Sequence, residues 1–146
     1  MSLAENKKAF FDYQILEKFE AGLELRGFEV KAIRAGKAAL AGAYVKIYNN
    51  EGWLVGASIH PFQKKNAPQD YDENRSRRLL LHKNEIKHLI GKSREKGLTI
   101  VPIKLYNKGG KIKIEIGIAR GKTKSDKREK IKQRDSKREI NRRLKS

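Results

Sequence analysis

The chain of 146 residues contains no cysteine, which removes disulfides, thiolate nucleophiles and cysteine-based zinc sites together. It also lacks a long apolar run, a lipidation signal and a helix with a broad greasy face, the usual means of entering or coating a membrane. The amino-terminal MSLAENKKAFF has no apolar core and no cleavage site, so the expected location is cytoplasmic. Acids are scarce as well: 17 Asp and Glu stand against 35 Lys and Arg, a formal net charge of +18. That excess goes far beyond what solubility needs, and with membranes set aside the partner it implies is nucleic acid.

Catalytic groupings are equally thin. His60, His82 and His88 follow no metal-ligand spacing, and the last two, six residues apart, cannot share a helix face. The chain has no Gly-rich phosphate loop and no nucleophile elbow. Asp70, Asp72 and Glu73 could seed a magnesium-dependent nuclease, but a Pro-containing acidic loop is the ordinary composition of a solvated turn. The expectation is a binder without catalytic residues, metal or cofactor.

What is present is mostly strand. In AYVKIYNNEGWLVGASI, Val45 and Ile47 alternate with Tyr44, Lys46 and Tyr48, Asn-Asn-Glu-Gly makes a loop, and Trp53, Val55, Ala57 and Ile59 are expected on one face. In LTIVPIKLYNKGGKIKIEIGIARG, Ile103 and Leu105 precede a Gly-Gly turn, after which Ile112, Ile114, Ile116 and Ile118 alternate with Lys113, Glu115 and Gly117. Residues 13–25 add an opening strand with Ile15, Phe19, Leu23 and Leu25 to bury and Gly22 as a bend. These hairpins, with one helix between them and strong twist at Gly22 and Gly117, predict a mainly β, antiparallel oligonucleotide-binding (OB)-type barrel over 1–119. A basic tail follows over 120–146, where 13 Lys and Arg face 4 Asp and Glu, a net of 13 − 4 = +9 and half of the whole excess.

The helix is expected over 77–91, closing at Gly97, with Leu79, Ile86 and Ile90 on one stripe and Leu89 at its margin. Leu80 and Leu81 fall off that stripe. Either the helix begins late or is buried on two sides, or an apolar side chain flanked by Arg75, Arg77, Arg78 and His82 offers a contact for an RNA base while guanidinium groups hold phosphates. The segment NKKAFFDY sets Asn6, Lys7 and Lys8 beside Phe10, Phe11 and Tyr13, which suits either a core or unpaired bases. In the tail, Asp126 with Glu129 resembles a capping box, yet Ile131, Ile140 and Leu144 make too thin a stripe to pack on a barrel. The tail is therefore expected to be disordered when free and to order on binding phosphates.

Taken together, NKKAFFDYQILEKFEAGLELRGFEVKAIRAGKAAL, RSRRLLLHKNEIKHLIG, KGLTIVPIKLY and GIARGKTKSDKRE resemble the bacterial SsrA-binding protein (small protein B) family over essentially the whole chain. The resemblance implies a six-stranded OB-type barrel with short helices and a non-catalytic role in trans-translation, the rescue of stalled ribosomes. It implies binding to the tRNA-like domain of tmRNA, help with its charging by alanyl-tRNA synthetase, and entry into the ribosomal A site with elongation factor Tu and GTP. By motif position, Asn6, Glu20 in FEAG and Leu80 fall on the family's RNA-contacting residues. Gly121, Lys122, Asp126, Lys127 and Arg128 fall on its tail motifs, which act at the decoding centre and in the message channel of 16S ribosomal RNA. The family's second tail Lys is Thr123 here with Lys124 beside it, and Ser125 stands where many relatives carry His or an aromatic. The alternative carried by composition alone is a generic single-stranded or ribosomal RNA binder on the same barrel.

Overall fold

The structure is a computed structural model that describes residues 2–122 together with Arg128, Ile131, Lys132 and Arg134. In chain order the elements are β1 (Ser2–Glu5), α1 (Lys7–Asp12), β2 (Tyr13–Leu23), α2 (Gly27–Arg34), β3 (Ala38–Ala39), β4 (Tyr44–Tyr48), β5 (Glu51–Val55), β6 (Ser58–Ile59), a 3-10 turn (Lys64–Asn66), β7 (Arg77–Leu80), α3 (Lys83–Ser93), β8 (Leu98–Lys108) and β9 (Lys111–Gly121). Seven strands form one antiparallel sheet in the order β1, β8, β9, β2, β7, β5, β4, and β3 pairs separately with β6. The far strand β4 curls back to pack against β8, so the sheet rolls towards a barrel.

The architecture is the mainly β, OB-type one expected, with seven strands in the main sheet where the resemblance implied six. Ser2–Glu5, a strand not read from the sequence, pairs with residues 104–106 of β8. Both expected hairpins form. Asn49 and Asn50, each at positive φ, close β4 onto β5 in two residues, and Gly109 and Gly110 do the same between β8 and β9. The core is filled from alternate positions: Ile112, Ile114, Ile116 and Ile118 of β9 pack against Leu54, Leu79, Ile100 and Leu105. At Gly117 a side-chain carbon would stand 3.0 Å from both Ile103 and Ile15, so the two strands flanking β9 close over it only because it is glycine.

Two local expectations are corrected, and one element that local pattern left unread appears. Residues 77–80 are strand, not the start of a helix; α3 begins only at Lys83, where Glu85 Oε1 accepts the His82 N–H at 3.0 Å. An open position in the sheet between β2 and β5 decides this, since β7 pairs with both and satisfies more backbone there than a free helical turn could. Trp53 and Val55 do not share a face with Ala57 and Ile59. Gly52 and Leu54 are the buried residues of β5, and Gly56 at φ +82° reverses the alternation before Ala57 and Ile59 turn inward. Finally, GFEVKAIR forms a second helix, α2, which puts Ala32, Ile33 and Glu29 into the interior.

Glu29 is buried without solvent contact beside an equally buried Arg77. Arg77 donates to Glu29 Oε2 from Nε (3.0 Å) and Nη2 (2.8 Å), and also to the carbonyls of Ala57 (2.8 Å) and Glu73 (2.9 Å) and to the Tyr71 hydroxyl (2.9 Å). The Tyr71 hydroxyl in turn lies 3.0 Å from Glu29 Oε2 and 2.9 Å from the Ile59 carbonyl, either of which can take its proton. Arg75 adds Nε at 3.2 Å and a second bond from Nη2 to Oε1, and the Arg26 N–H caps the same oxygen at 2.9 Å. The Glu29 carboxyl is thereby held down to about 2: burial opposes ionisation and is the largest single influence, but the bonds from Arg75, the Arg26 backbone and Arg77 together outweigh it.

Removing one partner leaves a buried charge unmatched. Arg77→Met is expected to cost about 3–5 kcal/mol in urea unfolding. Because the Glu29 carboxyl titrates lower in the folded chain than its ordinary 4.5, the stability it supplies is complete above that pH and declines as pH falls towards 2. Glu29→Gln should flatten that acid limb of the stability profile.

Candidate nucleic-acid interface

Because β7 is a strand, its side chains alternate: Arg77 and Leu79 are buried, while Arg78 and Leu80 face outward. Leu80 pairs with Gly22 of β2 and is 49% exposed, a large fraction for leucine. A side-chain carbon at Gly22 would stand 3.3 Å from Leu80 Cβ and Cδ1, so the missing Cβ is what lets Leu80 lie flat across β2. Arg78 stands beside it, 3.5 Å from Glu24 and 3.8 Å from Glu51. The off-stripe leucine is thus an exposed apolar contact on a sheet face with a guanidinium next to it.

On the same face of β2, two residues before Gly22, sits Glu20. Its carboxylate accepts a bond from the Tyr106 hydroxyl at Oε2 and from Lys108 Nζ at 3.2 Å to each oxygen. These bonds, Tyr106 first and Lys108 second, hold the Glu20 carboxyl below its usual range. The Tyr106 phenol is pushed up, by its partial burial first and then by the bond to Glu20. Lys104 Nζ lies 5.6 Å from the Tyr106 ring centroid, completing an acid held among basic and aromatic neighbours. Tyr106, Lys104 and Lys108 were not picked out from the sequence, although their alternation with Ile103 and Leu105 in IKLYNK carried the signal that they share the wet face of β8.

The remaining expected residues divide. Lys7 and Lys8 are exposed on α1, and His82 is exposed between β7 and α3. Asn6 is buried: its Oδ1 accepts the Ala9 N–H (3.2 Å), its Nδ2 donates to the Pro102 carbonyl (2.9 Å), and it caps α1. Arg77 is withdrawn from the outer face altogether, and Arg75 has most of its guanidinium on Glu29, so a phosphate could reach Arg78 but not Arg77. In the tail, Gly121 ends β9 opposite Tyr13, and Lys122 donates its N–H to the Asp12 carbonyl (2.8 Å) and Nζ to the Phe10 carbonyl (2.9 Å). Arg128, Ile131, Lys132 and Arg134 are helical and exposed. Lys124, Asp126 and Lys127 lie outside the described residues.

Among the described residues no group of three or more acidic or histidine side chains could hold a metal ion, and no helix is long and apolar enough to cross a membrane. In the acidic loop, Asp72 Oδ1 accepts the Asn74 N–H at 2.9 Å and Glu73 Oε1 lies 2.7 Å from His60 Nδ1.

A model of the SmpB protein family matches residues 3–146. The SsrA-binding protein of Thermosynechococcus vestitus is 50% identical, over 98% of this chain and 94% of that one. That of Carboxydothermus hydrogenoformans is 50% identical over 99% and 96%, and that of a Sulfurihydrogenibium species 53% identical over 94% and 90%. The chain belongs to the SmpB family of SsrA-binding proteins. A solved structure described as "tmRNA-SmpB: a journey to the center of the bacterial ribosome" superimposes with a TM-score of 0.68 at 43% identity, covering 87% of this chain and 92% of that one. The SmpB fold is therefore shared, and the exposed Leu80, Arg78 and Glu20 sit on its outer sheet face.

If Tyr106 is the main hold on Glu20, Tyr106→Phe should raise the Glu20 carboxyl back towards its ordinary value. A carbon-13 titration of the side-chain carboxyls reads this directly, and an unmoved Glu20 resonance would assign the hold to Lys108 instead.

Proposed function

We propose that the protein binds the tRNA-like domain of tmRNA with the outer face of its barrel and carries it to stalled ribosomes, where the basic tail occupies the vacant message channel. Membership of the SmpB family over residues 3–146 carries this reading, and the SmpB relative of solved structure is one described together with tmRNA and the ribosome.

The chemistry of the face supports a division of labour. Leu80 supplies apolar area for a base or a ribose, and Arg78 and the exposed Lys7 and Lys8 supply charge for phosphates. Glu20 repels phosphates but accepts from base or sugar donors; held ionised by Tyr106 and Lys108, it keeps acceptor capacity to offer an exocyclic amine or a 2′-hydroxyl. Asn6 contributes at one remove, by fixing the helix that presents Lys7 and Lys8. His82 lies at the end of the strand that carries Leu80, and Arg75 serves chiefly to hold Glu29. The protein itself performs no bond chemistry: elongation factor Tu with GTP and alanyl-tRNA synthetase act on the complex through the RNA, in the cytoplasm.

The tail works on the ribosome. Its charge keeps it soluble, and phosphates lining the channel of 16S ribosomal RNA neutralise it and favour a helix through Asp126, Lys127 and Arg128. Message already filling the channel excludes that helix, so folding on arrival reports a vacancy. With Ser125 in place of an aromatic, the contact at the decoding centre falls to hydrogen bonds and to Lys124 and its basic neighbours.

Binding of the tRNA-like domain against an ordinary tRNA across a salt series tests the assignment. Use the full chain and a chain ending at Lys122, which keeps the bonds to α1. If the barrel neutralises about five phosphates, the log-log slope is roughly −4, and removing the tail changes the preference little. Equal affinity for both RNAs, or a preference that disappears with the tail, would favour the generic RNA binder. A second expectation separates the two halves: Leu80→Asn weakens binding, whereas Asp126→Ala with Lys127→Ala leaves it nearly intact and blocks peptide tagging on ribosomes in a reconstituted system.

A further inference from the structure

The outer face does not stop at Leu80. Register carries it across β5 to the last strand, β4: Arg78 pairs with Trp53, and Trp53 with Lys46, so the three side chains form one row over three strands. Strand spacing puts the ends of that row roughly 10 Å apart. Along β4 itself Tyr44, Lys46 and Tyr48 alternate outward while Val45 and Ile47 turn in. Tyr48 at 61% and Tyr44 at 46% are among the most exposed large hydrophobic side chains described, and Lys46 Nζ stands 5.7 Å from the Tyr48 ring centroid.

Each end of β4 opens into a groove. Tyr44 lines one together with Lys8, Tyr13 and Thr99. Beyond Tyr48, the turn residue Asn50 lines the other with Lys83, Asn84, Ile86, Lys87 and Ile90 of α3, a recess of about 560 Å³. Its lining joins the apolar Ile86 and Ile90 of α3 to two amides and two ammonium groups. Among the described residues Lys46, Lys83 and Lys87 make no ion pair, whereas the nearest acid of the row, Glu51, already faces Arg78. Aromatic rings with interleaved unpaired cations, next to an apolar recess rimmed with amides, are what stacked bases and their phosphates require.

We infer that the outer face of β4, with the α3 recess beyond it, is a stacking surface for unpaired nucleotides of the same tRNA-like RNA, continuous with the Leu80 and Arg78 contact. Bases stack on Tyr44 and Tyr48, phosphates lie against Lys46, Lys83 and Lys87, and the recess at Ile86 and Ile90 takes a terminal base between Asn50 and Asn84. Continuity with the Leu80 row selects this occupant over ribosomal RNA or a protein strand. The inference rests on the function proposed above.

The chain supplies its own reporter, because Trp53, the only tryptophan, sits in the middle of the row. Trp53 emission and filter retention are measured together while the full chain is titrated with a transcript of the tRNA-like domain, and separately with a fragment of 16S ribosomal RNA. The parent, Tyr44→Ser with Tyr48→Ser, Lys83→Gln with Lys87→Gln, and Leu80→Asn are compared. Both tyrosines are exposed, so thermal melts of the variants should overlay that of the parent. The expected result is a change in Trp53 emission on binding the tRNA-like transcript and a loss of affinity of about tenfold or more in the tyrosine pair. The lysine pair should weaken binding and lower the salt slope by roughly 1–2. Parent-like affinity in the tyrosine pair, or flat Trp53 emission while the filter shows binding, overturns the inference. So does a tyrosine effect confined to the ribosomal fragment. If Leu80→Asn also leaves binding unchanged, the proposed function fails with it; a Leu80-dependent but tyrosine-independent affinity removes only the stacking surface.

Discussion

The outer face depends on a charge pair that never meets water. Glu29 arrives from α2 and Arg77 from β7, and the arginine also gathers the carbonyls of Ala57 and Glu73. Compared with a well-packed apolar pair, such a bridge adds little net stability, since desolvating two ions costs nearly what their attraction returns. What it fixes is register. Sheet side chains alternate strictly, so a slip of one residue in β7 would bury Arg78 and Leu80 and expose Arg77 and Leu79. With Arg77 tied inward by five contacts, Arg78 and Leu80 have to point out, and the loop from Ala57 to Ser76 is held against α2 by the same bonds.

That pair also explains where reading the sequence succeeded and where it did not. The long hairpins were legible because Ile112 to Ile118 alternate cleanly and because Asn-Asn and Gly-Gly are the residues that two-residue turns demand. RRLL offered no such contrast. Two arginines followed by leucines show no period of two unless one arginine is known to be buried, and burial of an arginine is visible only when its glutamate, 48 positions earlier, is placed beside it. The same local pattern set Arg75 and Arg77 beside Arg78 as surface cations, where the structure buries Arg77 and turns Arg75 onto Glu29. Local pattern treats an arginine cluster as surface, while the tertiary partner that withdraws it is remote in sequence. Leu80 fared better, since its failure to fit a helical stripe was itself the sign that it faced somewhere unusual.

An acid on the exposed outer sheet face of a chain carrying +18 is a second apparent conflict. Neighbours on the same sheet face resolve it. Tyr106 and Lys108 keep the Glu20 carboxylate ionised and oriented, and Lys108 and Lys113 place positive charge beside it, so its acceptor capacity is preserved while its charge is screened locally. None of this requires a pocket. It requires three adjacent strands, β2, β9 and β8, in a register that brings the wet positions of the outer two within reach across β9.

The tail completes the logic of a protein in two parts. Half of the charge excess lies after residue 119, on a segment with few apolar residues whose starting point is closely fixed. Lys122 uses both its backbone N–H and its ammonium group on the last carbonyls of α1, the helix that Asn6 caps at its other end and that carries Lys7 and Lys8. A lysine on those carbonyls also complements the negative end of the helix dipole. The root of the tail is therefore rigid with respect to the same helix that exposes Lys7 and Lys8. In the proposed function this geometry matters more than any single contact: once the barrel has docked on the tRNA-like domain, the direction in which the tail departs is already set.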